Sequence, residues 1–283
     1  MTKRAVLASA ALLLGAGAWG VLWYPLRALN GAGLSGLWLA LLMYGGAAAA
    51  SLLVFRARRS AHGPRGVWLA LAVLGGITNI GFVVAVLHDN ILRVTLLFYL
   101  SPVWSVLAAR VALGERLTAP VLAGIGCALL GVLGLLWRQA NVALNAYDAL
   151  ALLSGGAFAL ANVLLRAYPA LALETKLLAT FVGVVAVGFL ALGFTAPGLP
   201  QTHALPVLIA IIGGGFAIFA ITFLVQYGVT ELPVRLSSVL LLFEVVTAAF
   251  SQHILLHGVL SAHALGGALA VAVGATLVAV YGV

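Results

Sequence analysis

The chain alternates between long apolar runs and short connections that hold most of its glycine, proline and charge. Each run is about 20 residues long, the length that an α-helix needs to cross the hydrocarbon core of a bilayer. The pattern therefore predicts an all-α integral membrane protein with ten transmembrane helices. The predicted segments are 5–25, 34–55, 67–88, 91–113, 119–137, 146–167, 176–194, 204–227, 233–256 and 263–282.

Composition supports this class and excludes two others. Of the 283 residues, 64% are hydrophobic and 7% are charged, whereas a soluble domain is about one quarter charged. The net charge of +8 raises the question of nucleic acid. The basic residues form no patch interleaved with aromatic residues, so we expect no nucleic-acid partner. Basic cytoplasmic loops of a membrane protein account for the charge.

The first apolar run imitates a signal peptide. Lys3 and Arg4 precede the apolar stretch, and the small residues 16–18 follow it. We expect this segment to be retained, because a later segment of the chain matches it. GAWGVLWYPLRAL (17–29) aligns without gaps on GAFALANVLLRAY (156–168).

This match divides the chain into two repeats, 1–140 and 141–283. Farther along, Arg93 aligns on Arg235 at an offset of 142. Because each repeat has five helices, an odd number, the second should be inverted relative to the first. Inverted repeats are typical of alternating-access transporters, whose substrate site lies near the midplane between the halves. We therefore expect a central cavity there.

Lysine and arginine predict the orientation. With the N-terminus in the cytoplasm, the cytoplasmic side holds 11 of the 14 basic residues and the outside holds three. The ten predicted spans then place both termini in the cytoplasm. The cytoplasmic set is Lys3, Arg4, Arg56, Arg58, Arg59, Arg65, Arg110, Arg116, Arg166, Lys176 and Arg235, and the outer set is Arg27, Arg93 and Arg138.

Two stretches carry a family resemblance. AGAWGVLWYPLRAL has a small-Trp-Gly pattern with a basic residue near the helix end, and LSPVWSVLAARVALGERLT (100–118) has a proline inside the helix and Gly-Glu at its end. With the glycine-rich GIGCALLGVLG that follows, they resemble the EamA-type repeat of the drug/metabolite transporter superfamily. Within it, length and aromatic content are most similar to the YddG-type aromatic amino-acid exporters.

The resemblance implies a bacterial inner-membrane exporter of small metabolites with a cavity between its halves. The second repeat departs from the pattern. Glu244 stands where the first repeat has Pro102, and Leu256-His257 replaces Gly114-Glu115. Whether the two halves share a role at these positions is therefore undecided.

Glu244 is the main candidate site residue. In a helix over 233–256 it is about 16 Å from either end, at the middle of the bilayer. A charge at that depth usually faces a bundle interior or a wet cavity. Ser237, Thr247 and Ser251 share its helical face, and Ser237, Glu244 and Thr247 map onto Thr95, Pro102 and Ser105 of the fourth segment. Either both helices line a cavity, or Glu244 is protonated and bonds a neighbouring helix.

Aromatic and amide side chains supply further candidates. Trp19 and Trp23 lie on one face of the first helix, and Phe158 and Asn162 occupy the matching positions of the sixth. Such rings pack in the core or stack on an aromatic substrate. The remaining candidates are Asn79, Gln226, Tyr44, Tyr99 and Trp104, which either line the cavity or bond between helices. Pro102 either lets its helix bend as a gate or only shapes it.

The remaining motifs point away from enzyme chemistry. His253 and His257, with His263 nearby, have a spacing that can bind a metal, but no acidic or cysteine ligand accompanies them. Cys127 is the sole cysteine and sits among small packing residues. Small residues along the fifth and tenth helices predict close packing, within the chain or at a dimer contact. No ATP-binding loop is present, and we expect no cofactor and no metal.

The sequence therefore predicts a secondary transporter that exports small amphipathic metabolites, aromatic amino acids or similar compounds, by alternating access. Its expected partners are the substrate and the lipid bilayer, as a monomer or weak homodimer. The alternatives are an uncoupled facilitator for the same compounds and a histidine-dependent membrane metalloenzyme. Glu244 could bind the substrate amine or carry a coupling proton.

Overall fold

A computed structural model describes residues 3–34, 36–55, 64–89, 91–136, 145–196, 198–256 and 262–281 of the chain. Throughout these residues the regular structure is helical. An apolar sequence in lipid favours this outcome, because a helix satisfies its backbone hydrogen bonds internally. The helices are α1 (Lys3–Gly31), α2 (Gly36–Val54), α3 (Arg65–His88), α4 (Ile91–Phe98), α5 (Ser101–Leu113), α6 (Ala119–Leu136), α7 (Ala146–Ala167), α8 (Leu173–Thr195), α9 (Ala204–Leu208), α10 (Gly215–Glu231), α11 (Val234–Leu241), α12 (Phe243–Leu256) and α13 (Ala262–Tyr281).

The described residues contain eight helical segments long and apolar enough to cross a membrane, and two shorter apolar helices over Ala119–Gly134 and Leu265–Tyr281. A multi-pass membrane protein is therefore confirmed. Every predicted segment coincides with a helix or with helices in series. A π-helical stretch, Ile209–Gly214, joins α9 to α10.

The helices pack in two matching sets. Helix α1 packs against α10, α11 and α12, while α7 packs against α3, α4 and α5. Helix α2 packs against α8 and α10, and α8 packs against α2 and α3. Helices α6 and α13 pack against each other. Every helix of residues 3–136 thus has its main neighbour in residues 145–281, apart from contacts between consecutive helices.

Small residues let α6 and α13 approach closely. A Cβ atom added at Gly124 would lie 2.9 Å from the carbonyl oxygen of Gly274, and one at Gly131 would lie 2.6 Å from that of Gly267. Cys127 belongs to this contact, since its Sγ lies 3.4 Å from the Ala270 carbonyl oxygen. The predicted small-residue packing therefore occurs within the chain.

Two predicted helices are interrupted near their centres. The segment 91–113 is divided into α4 and α5 at Tyr99 and Leu100, and the segment 233–256 is divided into α11 and α12 at Leu242. Both segments remain candidate membrane spans, over Val94–Leu113 and Val234–Leu255. The sequence suggested a bend near Pro102 in the first, but it did not suggest the break in the second. Leu100 and Leu242 are themselves equivalent at the offset of 142, so both segments are interrupted at the same place.

The two interruptions also share one backbone geometry. Leu100 has φ −72° and ψ −7°, and Leu242 has φ −64° and ψ −12°. In each, the leucine N–H bonds the carbonyl three residues earlier, at 3.3 Å and 3.1 Å respectively. Such i→i−3 bonds tighten a helix locally. Pro102 lies in the first turn of α5, whereas α12 has no proline, so proline alone does not account for the shared bend.

Candidate functional site

The two helix interruptions meet at Glu244. Glu244 lies in the first turn of α12, directly after the break, and Tyr99 lies in the link between α4 and α5. The Tyr99 hydroxyl donates a hydrogen bond to the Glu244 carboxylate. Tyr99 is 9% exposed, so this bond is largely shielded from solvent. The structure thus joins two residues 145 positions apart, both predicted as site residues.

Two further predicted residues extend this contact into a polar network. Tyr44 of α2 is buried and lies near enough to Glu244 for the two groups to interact electrostatically. Its hydroxyl donates to Asn79 Oδ1 at 2.5 Å. Asn79 Nδ2 in turn donates to the Gly75 carbonyl oxygen at 2.9 Å, within α3. Four elements therefore contribute side chains to one cluster, which we call the acidic cluster: Glu244, Tyr99, Tyr44 and Asn79.

An aromatic group borders the acidic cluster. The ring of Phe98, the last residue of α4, lies 5.9 Å from the Tyr99 ring and 5.5 Å from the Phe158 ring. Phe82 of α3 adds an edge contact with Phe98, with ring centres 5.0 Å apart. Phe158 was predicted from its match to Trp19, whereas Phe82 and Phe98 were missed. The position of Phe98 next to Tyr99 was the signal that could have identified it.

Helix α1 approaches the acidic cluster from the other side. At Gly20 a Cβ atom would clash with the Glu244 carbonyl oxygen and with Thr247 Oγ1, so only glycine permits this approach. Thr247 Oγ1 donates to that same Glu244 carbonyl at 2.9 Å. Trp23 Nε1 donates to Ser251 Oγ at 2.9 Å. Trp23 and Ser251 therefore bond α1 to α12, beside the close approach at Gly20.

Four predicted residues lie elsewhere. Ser237 is buried on α11, where its hydroxyl donates to the Val234 carbonyl at 3.2 Å, so the expected polar stripe is divided between two helices. Trp19 is partly buried and packs against both large hydrophobic clusters. Trp104 is 44% exposed on α5. Pro102 is buried where α5 begins.

Asn162 and Gln226 are buried closer to one end of the bundle. They are 3% and 4% exposed. Gln226 Nε2 donates to Thr180 Oγ1 at 2.9 Å. Within the described part of the chain, Gln226 Oε1 and Asn162 Nδ2 have no hydrogen-bond partner. Among the described residues, no hydrogen bond links Asn162 or Gln226 to Glu244.

Beside them lies a residue whose burial the sequence interpretation did not predict. Lys176 was placed on the cytoplasmic side at the start of a predicted segment, and it is 0% exposed on α8. Its Nζ donates to the Leu165 carbonyl oxygen at 2.9 Å and to Thr230 Oγ1 at 3.0 Å. Hydropathy could not detect this, because one basic residue at a segment boundary resembles a loop residue. The buried Lys176 and the half-buried Thr180 were both missed.

The histidine hypothesis is only partly covered by the structure. His257 and the side chain of His263 lie outside the described residues. His253 Nδ1 is buried on α12. The described residues contain no group of three or more histidine, cysteine or acidic side chains that could hold a metal.

A groove of about 460 Å³ opens at the end of the bundle where α2 begins and α3 ends. It is lined by residues that include Trp38, His88 and Gln201. None of the acidic-cluster residues lines it. The groove is therefore separate from the candidate site. The candidate site is defined by the side chains of the acidic cluster and not by this groove.

Residues 6–137 match the EamA-like transporter family. They form an EamA-like domain. The match spans slightly less than half of the chain and covers α1 to α6, including Tyr44, Asn79 and Tyr99. It indicates a membrane transporter of small molecules rather than an enzyme.

The overall fold has a solved counterpart. The chain is similar to a protein of known crystal structure, with a TM-score of 0.81 and 18% sequence identity. The similarity covers 100% of this chain and 98% of the other. No curated protein matches the sequence. At this identity the structural likeness concerns the fold alone.

Proposed function

We propose that this chain is a secondary transporter that exports small amphipathic metabolites, aromatic amino acids among them, by alternating access. We place it in the bacterial inner membrane with both termini in the cytoplasm, as the distribution of lysine and arginine suggests. The coarser function, a membrane transporter of small molecules, follows from the EamA-like domain. The finer proposal depends on the acidic cluster.

The hydrogen bond between Tyr99 and Glu244 is the observation that carries the proposal. It joins the two interrupted helices, one from each half of the chain, at the depth where both are bent. Broken helices at the midplane form the substrate sites of many transporters. An acid with a phenol partner can exchange that partner for a substrate ammonium group without being left unpaired.

The aromatic group supports the choice of substrate. The Phe98 ring lies against Tyr99, and the rings of Phe82 and Phe158 pack on Phe98. Aromatic rings bind another ring through offset or edge contacts worth about 0.5–1.5 kcal/mol beyond area burial. An aromatic amino acid would then place its ring among the phenylalanines and its amine at Glu244. Asn79 and Tyr44 are near enough to this site to contact the polar end.

The packing pattern supports an arrangement of two inverted five-helix halves, 1–140 and 141–283. The contacts of α1 with α10, α11 and α12 parallel those of α7 with α3, α4 and α5. The shared backbone geometry at Leu100 and Leu242 is also expected if the two halves are repeats of one another. In such an arrangement, rocking of the halves would expose the acidic cluster to one face and then to the other.

A flux assay on purified protein in proteoliposomes tests this function. A panel of aromatic, aliphatic and basic amino acids would be offered with and without a pH gradient. We expect aromatic compounds to be transported fastest. Glu244→Gln should lower that flux about tenfold or more, because hydrogen bonds to charged groups contribute about 1.5–3 kcal/mol. Glu174→Gln is the matched control, since Glu174 is an acid at the start of α8 outside the cluster.

The pattern of results separates the possible roles of Glu244. Weaker substrate binding at every pH indicates that Glu244 binds the amine. Loss of pH-driven accumulation with exchange retained indicates a coupling proton. Uptake that never exceeds the concentration gradient, under any ion gradient, indicates a facilitator. Unchanged flux in Glu244→Gln would rule out both roles.

A further inference from the structure

Besides the acidic cluster, a second set of buried and part-buried polar contacts joins the helices at one end of the bundle. We call this the basic end; α7 and α10 finish there, and α8 and α11 begin there. The helices that meet at it form two packing groups. The α1 group is α1, α10, α11 and α12, and the α7 group is α3, α4, α5 and α7.

Two cations join the groups through the C-terminal ends of helices. Arg166, near the end of α7, donates to the carbonyl oxygens of Thr230 and Glu231, at the end of α10, at 2.9 Å and 3.2 Å. Lys176 of α8 bonds both sides at once, through Leu165 of α7 and Thr230 of α10. The last carbonyls of a helix lack partners within it and carry partial negative charge, which favours a cation.

An anion makes the complementary contact at a helix N-terminus. Glu115, in the connection after α5, accepts from the backbone N–H groups of Val234 at 2.8 Å and Arg235 at 3.2 Å, at the start of α11. Its carboxylate also lies 3.8 Å from an Arg235 guanidinium nitrogen. The first N–H groups of a helix favour an anion. This contact also joins the α7 group to the α1 group.

A small apolar plug lies among these contacts. Ala109 of α5, Val163 of α7 and Val234 of α11 form one buried cluster, drawn from both groups. Ala109 and Val234 are 0% exposed and Val163 is 6% exposed. The basic end is therefore closed by apolar contact as well as by polar bonds.

The opposite end is fastened differently. There the contacts stay within one group: Asn145 Nδ2, before α7, donates to Asp89 Oδ2, after α3, at 2.5 Å. The His88 and Tyr147 rings stack 4.9 Å apart between the same helices. Among the described residues, α4 and α12 share no packing comparable to that of α5 and α11. The two groups are thus joined at the midplane and at the basic end.

We infer that Lys176, Arg166 and Glu115 form a gate that closes the basic end of the transport pathway, with Lys176 as the residue that positions the ends of α7 and α10. The inference rests on the proposed alternating-access function. Isolated burial of a lysine is unfavourable, and ionisable residues inside a membrane are rarely incidental. Lys176 bonds the ends of both α7 and α10. Opening this end of the pathway requires these helix ends to separate, so the bonds of Lys176 must break.

Cysteine labelling tests the gate without reference to any substrate. The background is Cys127→Ala, which removes the sole cysteine, with Ala109→Cys as a reporter inside the apolar plug. In lipid nanodiscs both faces meet a water-soluble maleimide, so orientation need not be known. We expect Glu115→Ala and Lys176→Met to speed labelling about fivefold or more, the size of a typical coupling between sites. Glu174→Ala and Lys3→Met are the matched controls and should leave the rate unchanged.

Unchanged labelling in both gate variants, when each is monodisperse and helical, would overturn the inference. If Lys176→Met does not fold, a disulfide gives a second measurement. In Ala109→Cys/Val234→Cys, oxidation should stop flux of the best panel compound and reductant should restore it; flux that survives oxidation also overturns the gate. Faster labelling in a protein that transports no panel compound would instead retain the gate and reject the proposed function.

Discussion

Glu244 and Lys176 are both ionisable residues within apolar helices, but their surroundings differ in kind. Glu244 bonds the side chain of Tyr99 and lies beside two bent helices and a group of aromatic rings. Lys176 is fully buried and bonds a backbone carbonyl and a threonine hydroxyl, both close to helix ends. The Tyr99 side chain can rotate away from Glu244. Lys176 is instead bonded to the backbone of α7 through the Leu165 carbonyl oxygen.

This difference indicates separate roles for the two regions. A side-chain partner such as the Tyr99 phenol can yield to a substrate through a rotamer change. The carbonyl at Leu165 can leave Lys176 only if a helix end moves with it. We therefore expect changes in the acidic cluster to affect substrate binding, and changes around Lys176 to affect stability and opening.

The largest effect should come from the contact that supports the acidic cluster. In Gly20→Ala the added Cβ would overlap the Glu244 carbonyl oxygen and Thr247 Oγ1. Overpacking of this kind costs about 1–3 kcal/mol, and a backbone atom cannot rotate aside. We expect a lower melting temperature in detergent, together with reduced flux.

Gly17→Ala is the matched control, on the same helix and one turn earlier. A Cβ there would meet Phe243 and Thr247 at 3.6 Å, an ordinary contact distance. Because alanine is favoured over glycine in helices by about 1 kcal/mol, this variant should be as stable as the parent or slightly more so. Equal melting temperatures for the Gly20 and Gly17 variants would contradict the close approach of α1 to α12.

A smaller effect is expected at the phenol that bonds Glu244. Tyr99→Phe keeps the ring beside Phe98 but removes the hydroxyl donor. We expect aromatic amino-acid flux to fall about tenfold, with little change in melting temperature. Tyr147→Phe is the control, because it keeps the ring that stacks on His88 at the far end of the bundle. If both variants transport equally well, the Tyr99 hydroxyl has no part in the site.

The sequence predicted the helices well because apolar runs of membrane-spanning length have few alternative structures in lipid. It also singled out Glu244 as a candidate, from its depth and from the polar residues on its helical face. It could not predict the shared break at Leu242, since α12 lacks the proline that suggests a bend in α5. Nor could it predict that Tyr44 and Tyr99, both candidates, would lie beside Glu244, because that proximity arises only through packing between distant helices.

Lys176 shows the limit of charge counting. Its position, four residues into α8, is compatible with a loop, a snorkelling side chain or a buried cation. Its two acceptors decide among these, the Leu165 carbonyl oxygen of α7 and the Thr230 hydroxyl of α10. No periodicity within α8 contains that information.

The smallest predicted effect concerns the threonine one turn from Lys176. Thr180 Oγ1 accepts from Gln226 Nε2 and donates to the Lys176 carbonyl oxygen at 3.1 Å. Thr180→Val keeps the branched shape but removes the acceptor of the Gln226 amide, a neutral hydrogen bond whose net contribution is about 0.5–1.5 kcal/mol. We expect a slightly lower melting temperature and unchanged apparent substrate affinity, measured as the half-saturating concentration in the flux assay. Thr276→Val, on exposed α13 surface, is the control. A clear loss of affinity in Thr180→Val would extend the binding site to the Lys176 region and remove the distinction between the two.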